Sequence, residues 1–411
     1  MSNNVSYKDL FTQKNYLKLT IANTISRFGD SIVSLAFIWL MYELTGSAAL
    51  MAVNLLVRSI PDVVFQPITG AIVDKLSKKK ILLLCKIGRF VVMLSMALLV
   101  TFDMATVTAL LAFTFLCSTI EAMRNPADIA ATPLVLDEDK YSTGAGLKTS
   151  LGQVADLAGT AIAGIVVIII GSSGALIAGA STFLIAFLVI LTLRTNEAKA
   201  SDKISLTSTK QSIIEGISYI KTNHIFGALL VLGMLLNAMI VPFSAFSVVF
   251  ITDYLYSGPG FFSLVKIALS IAAVAGAIIT PKIKSVSNKP LIMASGLTMG
   301  VCLSLMCLLP EISSIALRQG FMILIFVFGG IALGAINVVF GVVFMQQMDK
   351  KFLGRMEGLA TSAISIATPI VSALCAVIAL SVSVPNIFLA FGIALVVAFI
   401  ILSRFKIYNQ I

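Results

Sequence analysis

The chain has 411 residues, of which 58% are apolar in the wide sense and only 12% are charged. Soluble proteins carry roughly 25% charged residues, so a chain with half that supply cannot cover a water-facing surface, and lipid is the solvent that tolerates it. The net charge of +10 sits mostly in short segments between apolar runs, a pattern that sets membrane topology and does not imply nucleic-acid binding.

In chain order, apolar runs near the ~20 residues needed to cross the hydrocarbon core predict spans near 18–42, 47–73, 81–101, 105–132, 144–170 and 173–193. A second set follows near 224–251, 261–281, 290–309, 319–347, 357–380 and 386–403. The runs are too long for membrane strands and do not alternate with period two. The expected fold class is all-α integral membrane, with twelve helices in two six-helix pseudo-repeat bundles. The first run keeps Arg27 and Asp30 and has no small-residue cleavage pattern, so it does not read as a cleaved leader. Cys85, Cys117, Cys302, Cys307 and Cys375 fall inside apolar runs without metal-ligand spacing and read as packing residues.

The longest polar stretch, 194–223, separates an N-terminal bundle (1–193) from a C-terminal one (224–411). Its second part places Ile213, Ile214, Ile217 and Ile220 at helical spacing, predicting a short amphipathic helix on the inner interface. The halves share short motifs: Gly146-Leu147-Lys148-Thr149-Ser150 opens the fifth span and Gly358-Leu359-Ala360-Thr361-Ser362 the eleventh. Repeats of this kind suit alternating access.

With the N-terminus inside, the basic residues sort by side. The inner segments take Lys75, Lys78, Lys79, Lys80, Lys86 and Arg89, then Lys140, Lys148 and the 194–221 stretch. In the second half they take Lys282, Lys284, Lys289, Lys350, Lys351, Arg355, Arg404 and Lys406. The outer side takes Arg318, and Arg27, Arg58, Arg124 and Lys266 fall within spans. This asymmetry supports an even span count and cytoplasmic termini.

The loop after the second span reads Gly70-Ala71-Ile72-Val73-Asp74-Lys75-Leu76-Ser77-Lys78-Lys79-Lys80. It resembles the signature loop of the major facilitator superfamily. Further stretches are similar to that family's macrolide-efflux and enterobactin-exporter branch. They are Arg27-Phe28-Gly29-Asp30, Tyr42-Glu43-Leu44-Thr45-Gly46-Ser47, Asn125-Pro126-Ala127 with Pro133, and Phe352-Leu353-Gly354-Arg355. Thr160 stands where the family's fifth-span antiporter motif has proline. The resemblance implies a conformational latch of Gly70, Asp74, Lys78 and Asp128. It also implies a secondary transporter exporting small amphipathic, macrolide-like molecules by alternating access. The same scaffold would serve a siderophore or metabolite exporter or a lysophospholipid flippase; a membrane ligand sensor without turnover is the alternative from another class.

A charged side chain at mid-bilayer costs roughly 2.5–3.5 kcal/mol on insertion scales, so such residues are paired or line a water-filled path. Here they come at helical spacings that share a face: Arg27 with Asp30, Arg58 with Asp62, and Glu121 with Arg124 and Asp128. Asp30 and Glu121 are the proton-coupling candidates, with Arg27, Arg58, Asp62 and Arg124 as charge partners. Lys266 either faces the interior or snorkels to an interface. Trp39, Asn237, Phe246 and Asn337 are the candidate substrate contacts. His224 is the single histidine, and there is no metal-ligand cluster or Gly-rich phosphate loop, so neither an enzyme nor ATP drive is expected. A proton gradient takes the place of a cofactor. The expected partners are a small-molecule substrate and the lipid bilayer, with the chain acting as a monomer in a bacterial plasma membrane.

Overall fold

The computed structural model describes residues 10–137, 140–195, 224–282, 288–347 and 360–405. Among them every regular element is a helix, and eleven helices are long and apolar enough to cross a membrane. They are α1 (Lys14–Thr45), α2 (Ala48–Lys75), α3 (Lys78–Thr101), α4 (Val107–Ala131), α5 (Tyr141–Leu191) and α6 (His224–Val249). Then come α7 (Pro259–Ile279), α8 (Asn288–Leu305), α9 (Ile315–Gln347), α10 (Ala367–Ile378, the regular part of the crossing segment Ala360–Ile378) and α11 (Val384–Arg404). The amphipathic helix expected at 211–221 and the Phe352-Leu353-Gly354-Arg355 motif lie outside the described residues.

The expected count of twelve and the eleven helices differ at one glycine. α5 has 51 residues, which at 1.5 Å per residue is more than twice the ~30 Å hydrocarbon core. Gly171 interrupts it with φ 70° and ψ 177°, a backbone region essentially reserved for glycine. The chain reverses there. Gly159, before the break, packs against the Phe28 carbonyl and Ser31; Thr182, after it, packs on Gly29. Both arms therefore touch α1 at one level and run antiparallel, as the predicted spans 144–170 and 173–193 require.

Two compact units result. One comprises Met1–Leu44 and Ile60–Leu206, the other Thr45–Ser59 and Thr207–Ile411. In the first, Leu19, Leu82, Ala127 and Ile190 form the centre of an apolar core. Side chains complete the helix ends. Ser77 Oγ accepts from the Lys80 N–H at the start of α3, and Thr106 Oγ1 accepts from the Ala109 N–H at the start of α4. Pro126, inside α4, has no N–H to give the carbonyl four residues back. That carbonyl belongs to Ala122, and the Thr69 hydroxyl donates to it at 3.0 Å, so this acceptor is not stranded in lipid.

The same end-capping device occurs in each unit. Lys79, at the start of α3, donates to carbonyls at and just beyond the end of α5, Leu191 O at 2.9 Å and Leu193 O at 2.6 Å. Lys289, at the start of α8, donates to Ser403 O near the end of α11 at 2.8 Å. A cation at a helix C-terminus is favoured by the unpaired carbonyls there. In the second unit, α7 and α9 cross closely: Gly330 and Gly334 lie against the backbone of Leu269 and Ala273, and Gly276 against Ile331. This is the small-residue, four-apart spacing that lets membrane helices approach.

Candidate functional site

The first unit carries a column of polar side chains along one side of α1. From Tyr16 to Asp30 it covers 14 residue steps, about 21 Å at 1.5 Å per residue. Tyr16 donates to Gly144 O at 2.7 Å. Two turns on, Asn23 donates to Asp128, whose other oxygen is 2.7 Å from Lys148 Nζ. Ser26 meets Lys86, with Nζ 2.5 Å from Oγ. Asp30 pairs with Arg89. The residues 23, 26 and 30 recur at helical spacing, so the helix itself aligns them on one face.

Arg89 is the hinge of the upper part of this column. Its guanidinium contacts both Asp30 and Glu121 through Nη1, the latter at 3.0 Å, and lies 4.4 Å over the Phe183 ring. Glu121 is also gripped by Arg124, through Nε at 2.8 Å and through a second, shorter contact. Arg124 continues to Asn125 Oδ1 at 2.8 Å. The result is a chain Asp30–Arg89–Glu121–Arg124–Asn125 that links α1, α3 and α4. The two arginine side chains are 9% and 7% exposed, the two carboxylates 25% and 28%. The positive groups are thus sealed by the protein while each acid keeps an open edge.

Two members of this cluster correct the sequence expectation. Lys86 and Arg89 were sorted with the inner loop that follows Asp74. Both instead sit inside α3, nine and twelve residues into the helix, at 0% and 7% exposure. Their i, i+3 spacing within the apolar run 81–101 was the available signal. The basic run Lys78-Lys79-Lys80 just before them masked it. The structure also re-pairs the first span: Asp30 goes to Arg89, and Arg27 goes to Asp156 on α5 at 2.7 Å. Glu121 and Arg124 do pair within their own helix.

The other candidate residues are dispersed. Arg58 and Asp62 lie on α2, and each has partners. Of the latch residues, Gly70 and Asp74 are on α2 but their side chains lie outside the described set; Lys78 opens α3, and Asp128 is held by Asn23 and Lys148. Trp39 is buried beside Tyr42, with ring centroids 6.1 Å apart. Phe246 is fully buried and packs edge-on against Phe388. Asn237 donates to Gly233 O at 3.2 Å on its own helix, and Asn337 is exposed. Lys266 stays inside the second unit, with Nζ 4.9 Å from the Phe243 ring and 5.6 Å from Phe262. The face of Phe243 is a substitute for the snorkelling route. Phe243 also pairs with Phe326 at 4.6 Å and, with Met239, Met299 and Met306, lines an apolar cavity of about 100 Å³. Among the described residues no group of three or more His, Cys, Asp or Glu could hold a metal.

Helices that cross a bilayer, two compact units and a buried charge relay define a multi-pass membrane transport protein. Residues 19–318 match the profile of the Major Facilitator Superfamily, and the chain belongs to that family. It is 26% identical over 385 residues to Macrolide efflux protein A of Streptococcus pyogenes, covering 90% of each chain. It is 24% identical over 349 residues to the multidrug efflux pump Tap of Mycolicibacterium fortuitum, covering 82% of this chain and 83% of that one. Among solved structures, the nucleoside transporter NupG superposes with a TM-score of 0.76 at 15% identity, over 95% of this chain and 100% of the other. A bacterial homologue of the iron transporter ferroportin superposes with a TM-score of 0.73 at 12% identity, over 95% and 99%.

Proposed function

We propose that this protein exports small amphipathic molecules of the macrolide-like class from a bacterial cell, driven by proton exchange. The observation that carries the reading is the Asp30–Arg89–Glu121–Arg124 relay inside membrane-crossing helices. Glu121 has two arginine partners and Asp30 one. Removing the charge from Glu121 leaves Arg124 without its carboxylate; removing it from Asp30 leaves Arg89 still paired with Glu121. Asp30 is therefore the acid that can take up and lose a proton without breaking the relay, and Glu121 is the anchor. Protonation of Asp30 frees Arg89 to turn wholly toward Glu121, which alters the bond between α1 and α3.

The similarity to Macrolide efflux protein A and to the pump Tap supports the substrate class and the outward direction. With Lys86 and Arg89 moved into the membrane, Arg318 remains the basic residue of the outer side on the sequence reading, which supports cytoplasmic termini and a plasma-membrane location. We take the working unit to be a monomer.

The test is transport by purified protein in vesicles, with and without an imposed pH gradient. Uptake of a labelled macrolide should rise with the gradient for the wild type and lose that dependence in Asp30→Asn. Export that ignores the gradient in the wild type would end the proton-exchange reading. Transport of labelled lysolipid or siderophore in place of the drug would reassign the cargo.

A further inference from the structure

Among the described residues, Lys86 is the one charged residue of the relay region that no carboxylate holds. Its side chain is 0% exposed. Its hydrogen bond within the described residues goes to a neutral hydroxyl, Ser26 Oγ, at 2.5 Å. The carboxylates nearby are committed elsewhere: Asp30 to Arg89, Glu121 to Arg89 and Arg124, Asp128 to Lys148 and Asn23. The groups that face Lys86 electrostatically are Asp30 from α1 and Glu121, Arg124 and Asp128 from α4, with Cys85 and Arg89 on its own helix. From α5, Lys148 is paired with Asp128 and Asp156 with Arg27.

With every group charged, Lys86, Arg89 and Arg124 stand against Asp30 and Glu121, so the sealed region holds one positive charge too many. An uncompensated buried charge is expensive, and proteins relieve it by letting the group become neutral. A hydroxyl is the partner that supports both forms, because it accepts from an ammonium and donates to an amine. The Ser26 contact therefore persists whichever way the proton sits. A carboxylate in its place would lock the charge on.

We infer that Lys86 carries the proton that this transporter exchanges. The inference rests on the proton-exchange reading above and deepens it: the resting proton sits on Lys86 of α3, and Asp30 passes it on. In the exchange, the Lys86 ammonium gives its proton to the Asp30 carboxylate, whose side chain is 25% exposed and releases it to solvent. The Ser26 hydroxyl, which donates to Ala22 O at 2.9 Å while it accepts from the ammonium, then turns to donate to the amine nitrogen. The region drops from one net positive charge to none, which favours arrival of a lipophilic monocation at Asp30 and Glu121. Reprotonation of Lys86 restores the repulsion and expels it.

The experiment uses the full chain in lipid nanodiscs. Acid–base titration should show the wild type releasing about one more proton than Lys86→Gln below about pH 9, where an ordinary lysine near 10.4 stays charged. Lys86→Met, which keeps the alkyl chain, serves as the second variant if the glutamine form does not assemble. Tetraphenylphosphonium, which has no proton of its own, is then added in weak buffer. Wild type should release about one proton per cation bound, and both Lys86 variants none. Folded variants that titrate like the wild type, or that release the proton on binding as it does, would overturn the assignment to Lys86. A titration difference without tetraphenylphosphonium binding would keep Lys86 as the proton site and count instead against the cationic-cargo reading.

Discussion

Arg89 is ion-paired with both Asp30 and Glu121, and joins the first, third and fourth helices through one guanidinium. The two acids are unequal because of what lies behind them. Glu121 has Arg124 as a second, bidentate partner, and Asp30 has no second one among the described residues.

That inequality predicts different outcomes for two conservative changes. Asp30→Asn should leave the fold intact and remove gradient-driven transport by about tenfold or more, equivalent to at least about 1.4 kcal/mol. Uptake into vesicles at fixed internal pH and varied external pH measures it. Gradient-driven uptake as strong as in the wild type would remove Asp30 from the coupling.

Glu121→Ala should act on stability first. It leaves Arg124 and half of the Arg89 contacts without a carboxylate in a nearly sealed site, a situation that costs about 3–5 kcal/mol. Thermal unfolding of the detergent-purified protein should show the loss, and Glu121→Asp should recover part of it. A melting curve unchanged by the alanine would mean that the pair is not buried as described.

Gly334→Leu should be among the least tolerated changes in the second unit. The Gly334 Cα faces the Ala273 backbone, so any side chain forces α7 and α9 apart. Overpacking of this kind costs about 1–3 kcal/mol, and more where backbone must move. The yield of monodisperse protein on size exclusion reports it. Gly320→Leu, where a side chain would enter open space, is the control that should behave like the wild type.

Gly171→Ala tests the reversal inside α5. With φ at 70° and ψ at 177°, alanine should cost about 1–3 kcal/mol, measured as a lowered melting temperature. No shift would mean that the two arms join by another backbone path.

The fold was legible because hydropathy and length act on whole segments: eleven helices fall on the apolar runs, and the twelfth crossing is hidden only by the continuity of α5 across Gly171. The site was half legible. Acids at mid-span, Asp30 and Glu121, stand out against apolar neighbours. Lys86 and Arg89 did not, because three lysines at the mouth of the same helix made them read as a continuation of a topogenic loop. Partner choice was the least accessible layer. Spacing on one helix puts Arg27 beside Asp30, but the contacts made depend on which helices lie alongside, and α3 and α5 took those two residues in different directions. Aromatic positions such as Phe246 were ambiguous for a related reason: in a chain this apolar, a phenylalanine meets core, lipid or ligand at the same sequence spacing.

The reversal at Gly171 has a mechanical side. Its two arms press on α1 at neighbouring residues, Phe28 and Gly29, one step from the acid at position 30. α1 is thereby pinched at the height where its charge is neutralised. It cannot slide along its axis without dragging both arms of the hairpin. A proton gained or lost at that height will be felt as a tilt shared by three helical rods, not as a shift of one.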